Sequence, residues 1–132
     1  MNITYFLDSV KKWGEKEEQI RAIILVGSYA RGSQKEDSDV DLVIISTNRR
    51  LFLESNFVDG FGRVTKFQKE DWGRVTSLRV WYDNNGLEVE FGITTPVWLE
   101  KPLDEGTRRT LSDGFKVLLD KDAFFKDIDI LL

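Results

Sequence analysis

Apolar residues crowd two short stretches of the chain, Ala22-Ile23-Ile24-Leu25-Val26 and Val40-Asp41-Leu42-Val43-Ile44-Ile45, and are spread more thinly elsewhere. Runs of this length with apolar residues at successive positions predict central strands covered on both faces, spanning Ile20 to Val26 and Val40 to Ser46. Upstream, Phe6, Leu7, Val10 and Trp13 recur at helical spacing. They predict a helix over Thr4 to Glu18 with one face on the core, Thr4 as its cap and Glu15-Lys16-Glu17-Glu18 as a solvated last turn. Between the strands, Ser28 to Arg31 is expected to make a helical turn that Gly32 stops.

Downstream, Asn48 to Ser55 reads as a loop or short helix, and Phe57 to Gly62 has no long periodicity. A short strand is expected over Arg63 to Phe67 and a stronger one over Val75 to Tyr82. Asp83-Asn84-Asn85-Gly86 is a hairpin signal, because Asn-Gly takes the positive φ angles of a tight turn. Leu87 to Ile93 returns as the partner strand. Asp104 to Leu111 reads as a helix capped by Asp104, Phe115 to Leu119 as a strand, Asp120-Lys121-Asp122 as a turn, and Ala123 to Leu132 as a terminal helix. The expected fold is α/β (α+β), a mixed central sheet with flanking helices, in a single domain covering residues 1–132.

Composition narrows the chemistry. The chain has neither cysteine nor histidine, which removes disulfides, Cys/His zinc sites, thiol nucleophiles and Ser-His-Asp triads. Catalysis would have to rest on carboxylates, lysines, arginines, hydroxyls and a metal. A net charge of −4 gives no general pull towards nucleic acid, so a large polyanion is not the expected partner. No apolar run approaches a membrane span, and Met1-Asn2-Ile3-Thr4 lacks the features of a signal peptide, so a cytoplasmic protein without membrane contact is expected.

The chemistry concentrates between the two buried strands, in Gly27-Ser28-Tyr29-Ala30-Arg31-Gly32-Ser33 and the acidic segment Asp37-Ser38-Asp39-Val40-Asp41. A glycine turn brings backbone N–H groups close to an anion, and neighbouring carboxylates hold a divalent cation. Better-known phosphate loops do not fit. Ser33-Gln34 stands where a Walker A loop needs Lys-Ser/Thr, position 29 lacks the glycine of a dinucleotide fingerprint, and Leu42 replaces the glycine of an EF-hand loop. Later, Leu87, Val89, Phe91 and Ile93 alternate with Glu88, Glu90 and Gly92, so both glutamates share one face of a strand. A Gly-Ser turn alone is usually only a turn, and a lone Asp-x-Asp usually a solvated strand end. Their pairing, ten residues apart between two buried strands, carries the information.

That pairing resembles the signature of the nucleotidyltransferase superfamily that includes DNA polymerase beta, and looks most like its minimal prokaryotic members. The match is strong over the first half of the chain and rests on element order beyond it. The resemblance implies the nucleotidyltransferase fold and a reaction in which an acceptor hydroxyl attacks the α-phosphorus of an NTP, expected to be ATP, with release of pyrophosphate. Asp39 and Asp41, on one face and roughly 6–7 Å apart at Cα, would converge on two Mg²⁺ ions about 3.5–4 Å apart. Gly27 and Ser28 would hold the β- and γ-phosphates, with Arg31 or Lys35 neutralising them. Glu90 is the choice for the family's third catalytic and metal-binding carboxylate, with Glu88 second; many members carry Asp there.

Larger family members place the acceptor against an additional helical domain. Here the acceptor surface is expected from Asn48–Gly62 and Thr95–Asp104, from a second copy in a homodimer, or from a separate helical partner protein. Two rival readings follow: an antitoxin-like subunit that binds a partner, and a degenerate domain that holds NTP and Mg²⁺ without turnover.

Overall fold

The computed structural model describes residues 3–83 and 86–128. In chain order it contains α1 (Thr4–Lys16), β1 (Ile20–Val26), α2 (Gly27–Arg31), β2 (Val40–Ser46), α3 (Arg49–Leu53), β3 (Val64–Asp71), β4 (Thr76–Tyr82), β5 (Glu88–Thr94), α4 (Glu105–Ser112) and β6 (Lys116–Asp120), with single 3₁₀ turns at Phe57–Phe61 and Pro96–Leu99. The strands form one mixed sheet in the order β3-β4-β5-β2-β1-β6. Among the described residues only β2 and β5 run parallel; the other neighbours are antiparallel.

The apolar runs are explained by what covers the sheet. Ile23, Leu25, Val40, Leu42, Ile44, Phe91 and Ile93 point towards the α1 side. Ala22, Ile24, Val26, Val43 and Ile45 point to the other side, against Trp98, Leu103, Leu111 and Phe125. Each such side chain, fully buried, contributes about 1.5–3 kcal/mol, so both layers are needed. Helix α1 lies close to the sheet at Gly14, where a Cβ would come within 2.6 Å of Ile23 Cδ1. Beside it Trp13 stacks on Phe57 at 4.9 Å and meets Phe52 and Phe61 edge-on. The segment Asn48–Gly62 is thus committed to the core on the α1 side.

β1 and β2 span the residues expected, and Gly32, at φ +72°, ends α2 in the left-handed conformation. Four expectations change. α1 ends at Lys16 with Glu17 extended as its C-cap, so the last turn expected to reach Glu18 stops short. Ile3, not Thr4, stands at the N-cap of α1, and Thr4 is its first helical residue. β3 runs on to Asp71 through the exposed residues Gln68-Lys69-Glu70. As an edge strand it is held by backbone pairing from Val64↔Tyr82 to Asp71↔Thr76, which leaves no burial pattern to read. The expected terminal helix is a series of turns over its described residues, 123–128. There the Asp120 carboxylate accepts the N–H groups of Phe124 and Phe125, each at 3.0 Å, and so competes with helical bonding. The remainder of that segment, and Asn84-Asn85 of the expected hairpin turn, lie outside the described residues.

Candidate metal and nucleotide site

Strand register builds an acidic centre. In the β2/β5 pair Asp41 lies directly opposite Glu90, and in the β1/β2 pair Val26 lies opposite Asp41. Asp39 precedes β2 by one residue and shares Asp41's face by the two-residue period of extended chain. Asp39, Asp41 and Glu90 each offer a carboxylate oxygen within 4.8 Å of the other two. Gly27 follows β1 immediately beside them. It adopts φ +74°, and a Cβ there would lie 2.2 Å from Asp41 Oδ2, so the turn needs glycine for both its backbone and its side-chain space.

Asp41 bears the cost of this crowding. Burial, then the negative charge of Asp39, then that of Glu90 push its pKa up to about 8. Its Oδ1 is buried and makes no hydrogen bond. A half-buried group of three carboxylates with an orphaned oxygen is unfavourable by itself, and a cation relieves it. The all-oxygen donor set suits a hard divalent ion. The residues present therefore fit the metal their spacing implied.

Of the two candidate glutamates, the structure brings Glu90 to the aspartates and takes Glu88 elsewhere. Glu88 accepts from Trp81 Nε1 at 2.9 Å and faces Arg79 at 3.7 Å. Glu90 is held at both oxygens from β4, by Ser77 Oγ at 2.5 Å and Arg79 at 3.3 Å. Sequence reasoning missed Ser77 and Arg79. The alternation Ser77, Arg79, Trp81 against buried Leu78, Val80 and Tyr82 was the available signal, but only the register, with Arg79 opposite Glu90, aims them.

The proposed phosphate-side residues are placed less closely. Ser28 is half-buried on α2, and its carbonyl accepts the Ser33 N–H. Arg31 and Lys35 are exposed. Arg31 passes beside Gly114 ahead of β6, and the Lys35 backbone exchanges hydrogen bonds with Ser38.

A cavity of about 460 Å³ adjoins the acidic centre. Asp41 and Glu90 line it together with Val26, Trp72, Val75, Trp98 and Thr107. Asn48–Gly62, one of the two segments expected to supply an acceptor surface, does not line it; Trp98 and Asp104, from the other, do.

Residues 6–110 match the model of the nucleotidyltransferase domain. The chain belongs to that family. Its fold is similar to that of the Cid1 poly(U) polymerase in complex with the UTP analogue UMPNPP, with a TM-score of 0.52 and 17% identity over 82% of this chain and 32% of that one. It is also similar to a cytoplasmic RNA terminal U-transferase, with a TM-score of 0.50 and 16% identity over 70% of this chain and 28% of that one. This nucleotidyltransferase chain thus spans about a third or less of the neighbours it resembles, and at this identity the likeness is one of fold. No curated protein sequence matches it.

Proposed function

We propose that this nucleotidyltransferase domain, taken as residues 1–132, transfers a nucleoside monophosphate from an NTP, ATP in our reading, to an acceptor hydroxyl and releases pyrophosphate. The observation that carries this reading is the acidic centre of Asp39, Asp41 and Glu90, poised for a cation and flanked by the Gly27-Ser28 turn. The acceptor oxygen forms a bond to the α-phosphorus as the bond to the β-phosphate oxygen breaks. The electron pair of that bond leaves with pyrophosphate, and the hydroxyl proton passes to Glu90 or to water.

In this reading Asp39, Asp41 and Glu90 hold divalent metal, Mg²⁺ by preference, which when bound neutralises triphosphate charge and makes the attacking hydroxyl more acidic. Gly27 and Ser28 receive the β- and γ-phosphates, and the exposed Arg31 and Lys35 swing onto them as counter-charges. Ser77 and Arg79 fix the longer Glu side chain, so that its oxygens occupy one position when the hydroxyl loses its proton. No described helix is long and apolar enough to cross a membrane. In this reading the enzyme is cytoplasmic and acts alone, as a homodimer or with a helical partner.

The test is pyrophosphate release from ATP, GTP, CTP and UTP with Mg²⁺. Release that stops with chelator and falls at least about a hundredfold in Glu90→Gln is the expected result. Tight NTP binding with no release from any of the four would instead establish the degenerate, non-transferring reading.

A further inference from the structure

We infer that the protein pairs with a second copy of itself through the outer edge of β3, the two strands running antiparallel about a two-fold axis at Gln68. A second copy is one of the assemblies left open in the proposed function, and its pairing does not depend on nucleotide transfer.

The edge is open and long. β3 ends the sheet and, at eight residues, is the longest strand among the described residues. Thr65 to Asp71 are exposed on both faces, so nothing overhangs the edge to keep another strand away. Pairing with β4 sets which backbone groups face out. Trp72 N–H donates to Val75 O at 2.8 Å, and Asp71 lies opposite Thr76. By the alternation of an antiparallel ladder, Gln68 and Glu70 bond to β4, while Phe67, Lys69 and Asp71 turn their N–H and C=O groups outward. Such a row of outward groups is a template for a further strand.

The side chains select a second copy as the occupant. Along Lys66-Phe67-Gln68-Lys69-Glu70-Asp71 the charge changes from basic to acidic, and an antiparallel copy reverses that order. Lysines alone would blunt the edge against any strand; followed by two acids, they match their own reverse. With Gln68 opposite the partner's Gln68, Lys66 faces the partner's Glu70 and Glu70 faces the partner's Lys66. Phe67 then stands opposite the partner's Lys69, so outward backbone groups meet outward groups. Registers centred on Lys66, Lys69 or Glu70 set like charges face to face, and one centred on Phe67 forms no ion pair within β3.

Packing adds to the pairing. Phe67 lies opposite Val80 and so shares the α1 face of the sheet with it, where its ring is 49% exposed. Beside the two-fold axis that ring becomes the diagonal neighbour of the partner's Phe67, within aromatic reach, and the alkyl stem of the partner's Lys69 covers it. On the other face, Lys66 Nζ sits 4.7 Å from the centre of the Trp81 ring, which holds it at the edge. Glu90 is on that same face, because Gln68 lies opposite Arg79 and Arg79 opposite Glu90. A two-fold axis through Gln68 therefore puts both acidic centres on one side of a continuous sheet. From β5 to the partner's β5 the strand order gives a separation of about 24 Å.

The experiment is sedimentation velocity over a concentration series, without nucleotide or metal, on the parent, on Lys66→Glu, on Glu70→Lys and on an equimolar mixture of the two variants. Both substitutions are at exposed positions of β3, away from the acidic centre. The parent is expected to dimerise reversibly. Each variant alone sets like charges together in both cross-strand pairs, and its dimer should be weaker by at least about tenfold. In the mixture one variant carries only acids at the two positions and the other only bases, so affinity should return to within about threefold of the parent's. A parent that stays monomeric up to about 1 mM overturns the inference. So do single variants that dimerise as the parent does, which would place the interface elsewhere, and a mixture no tighter than either variant alone, which would deny the register. The transfer reading stands or falls separately, on pyrophosphate release.

Discussion

Asp41 is where the demands of folding and of ligand binding conflict. Its carboxyl is pushed up to about 8 by burial and by the charges of Asp39 and Glu90, whereas in an unfolded chain it titrates near 3.9. Between those values the folded, metal-free protein binds the extra proton. Stability contributed by that proton is therefore present below about pH 4 and is lost as pH rises towards about 8. Denaturant unfolding in chelator should show Asp41→Asn more stable than the parent at pH 8, by about 1 kcal/mol or more, with the gap closing as pH falls to 5. The same variant should lose the stabilisation that divalent cation gives the parent. Gly27→Ala presents the complementary case: with φ +74° and a Cβ on Asp41 Oδ2, it should cost more than the roughly 1–2 kcal/mol of left-handed strain alone. Gly32→Ala, at φ +72° with open space around its Cβ, should cost only that strain. Equal losses for the two in urea melts would show that the Gly27–Asp41 contact is not the constraint.

Which elements could be read in advance follows from what holds each one. β1 and β2 are buried on both faces, so burial wrote their limits into the sequence, and the Gly27 turn and acid pair came with them. Strand parity put Glu88 and Glu90 on one face, and the family resemblance made one of them the third carboxylate, with Glu90 the choice. Its supports Ser77 and Arg79, and the cavity, could not be read in advance, because they depend on the register of β4 against β5 across a turn. β3 is held by backbone pairing, and the segment after β6 by one carboxylate, neither of which leaves a hydrophobic period. Local capping was legible at α4, where Asp104 accepts the Thr107 N–H at 2.8 Å and its carboxyl is held below the usual range by that bond first. Asp104→Ala should cost about 1 kcal/mol. Glu105→Ala, losing only an exposed pair with Arg109, should cost about 0.3–0.5 kcal/mol. Comparable losses in chemical denaturation would mean that Asp104 does not act as the cap of α4.

In the molecule as a whole, both faces of the sheet are covered by apolar layers, and the acidic centre stands where the layer over Val43 and Ile45 gives way to the cavity. That arrangement leaves a charged site beside a rigid sheet, which sets positions for ligands but stabilises poorly without them. Mg²⁺ should accordingly raise Tm, and raise it more at pH 8 than at pH 6, where protons already relieve Asp41. A shift independent of pH would mean that the ion binds elsewhere. Calorimetric titration of Mg-ATP into the parent protein and into Asp39→Ala/Asp41→Ala shows whether the acidic centre holds metal and nucleotide together. Metal-dependent binding to the parent is expected, abolished both by chelator and by the double substitution. Binding of equal affinity to the double variant, or none to either protein, would contradict it.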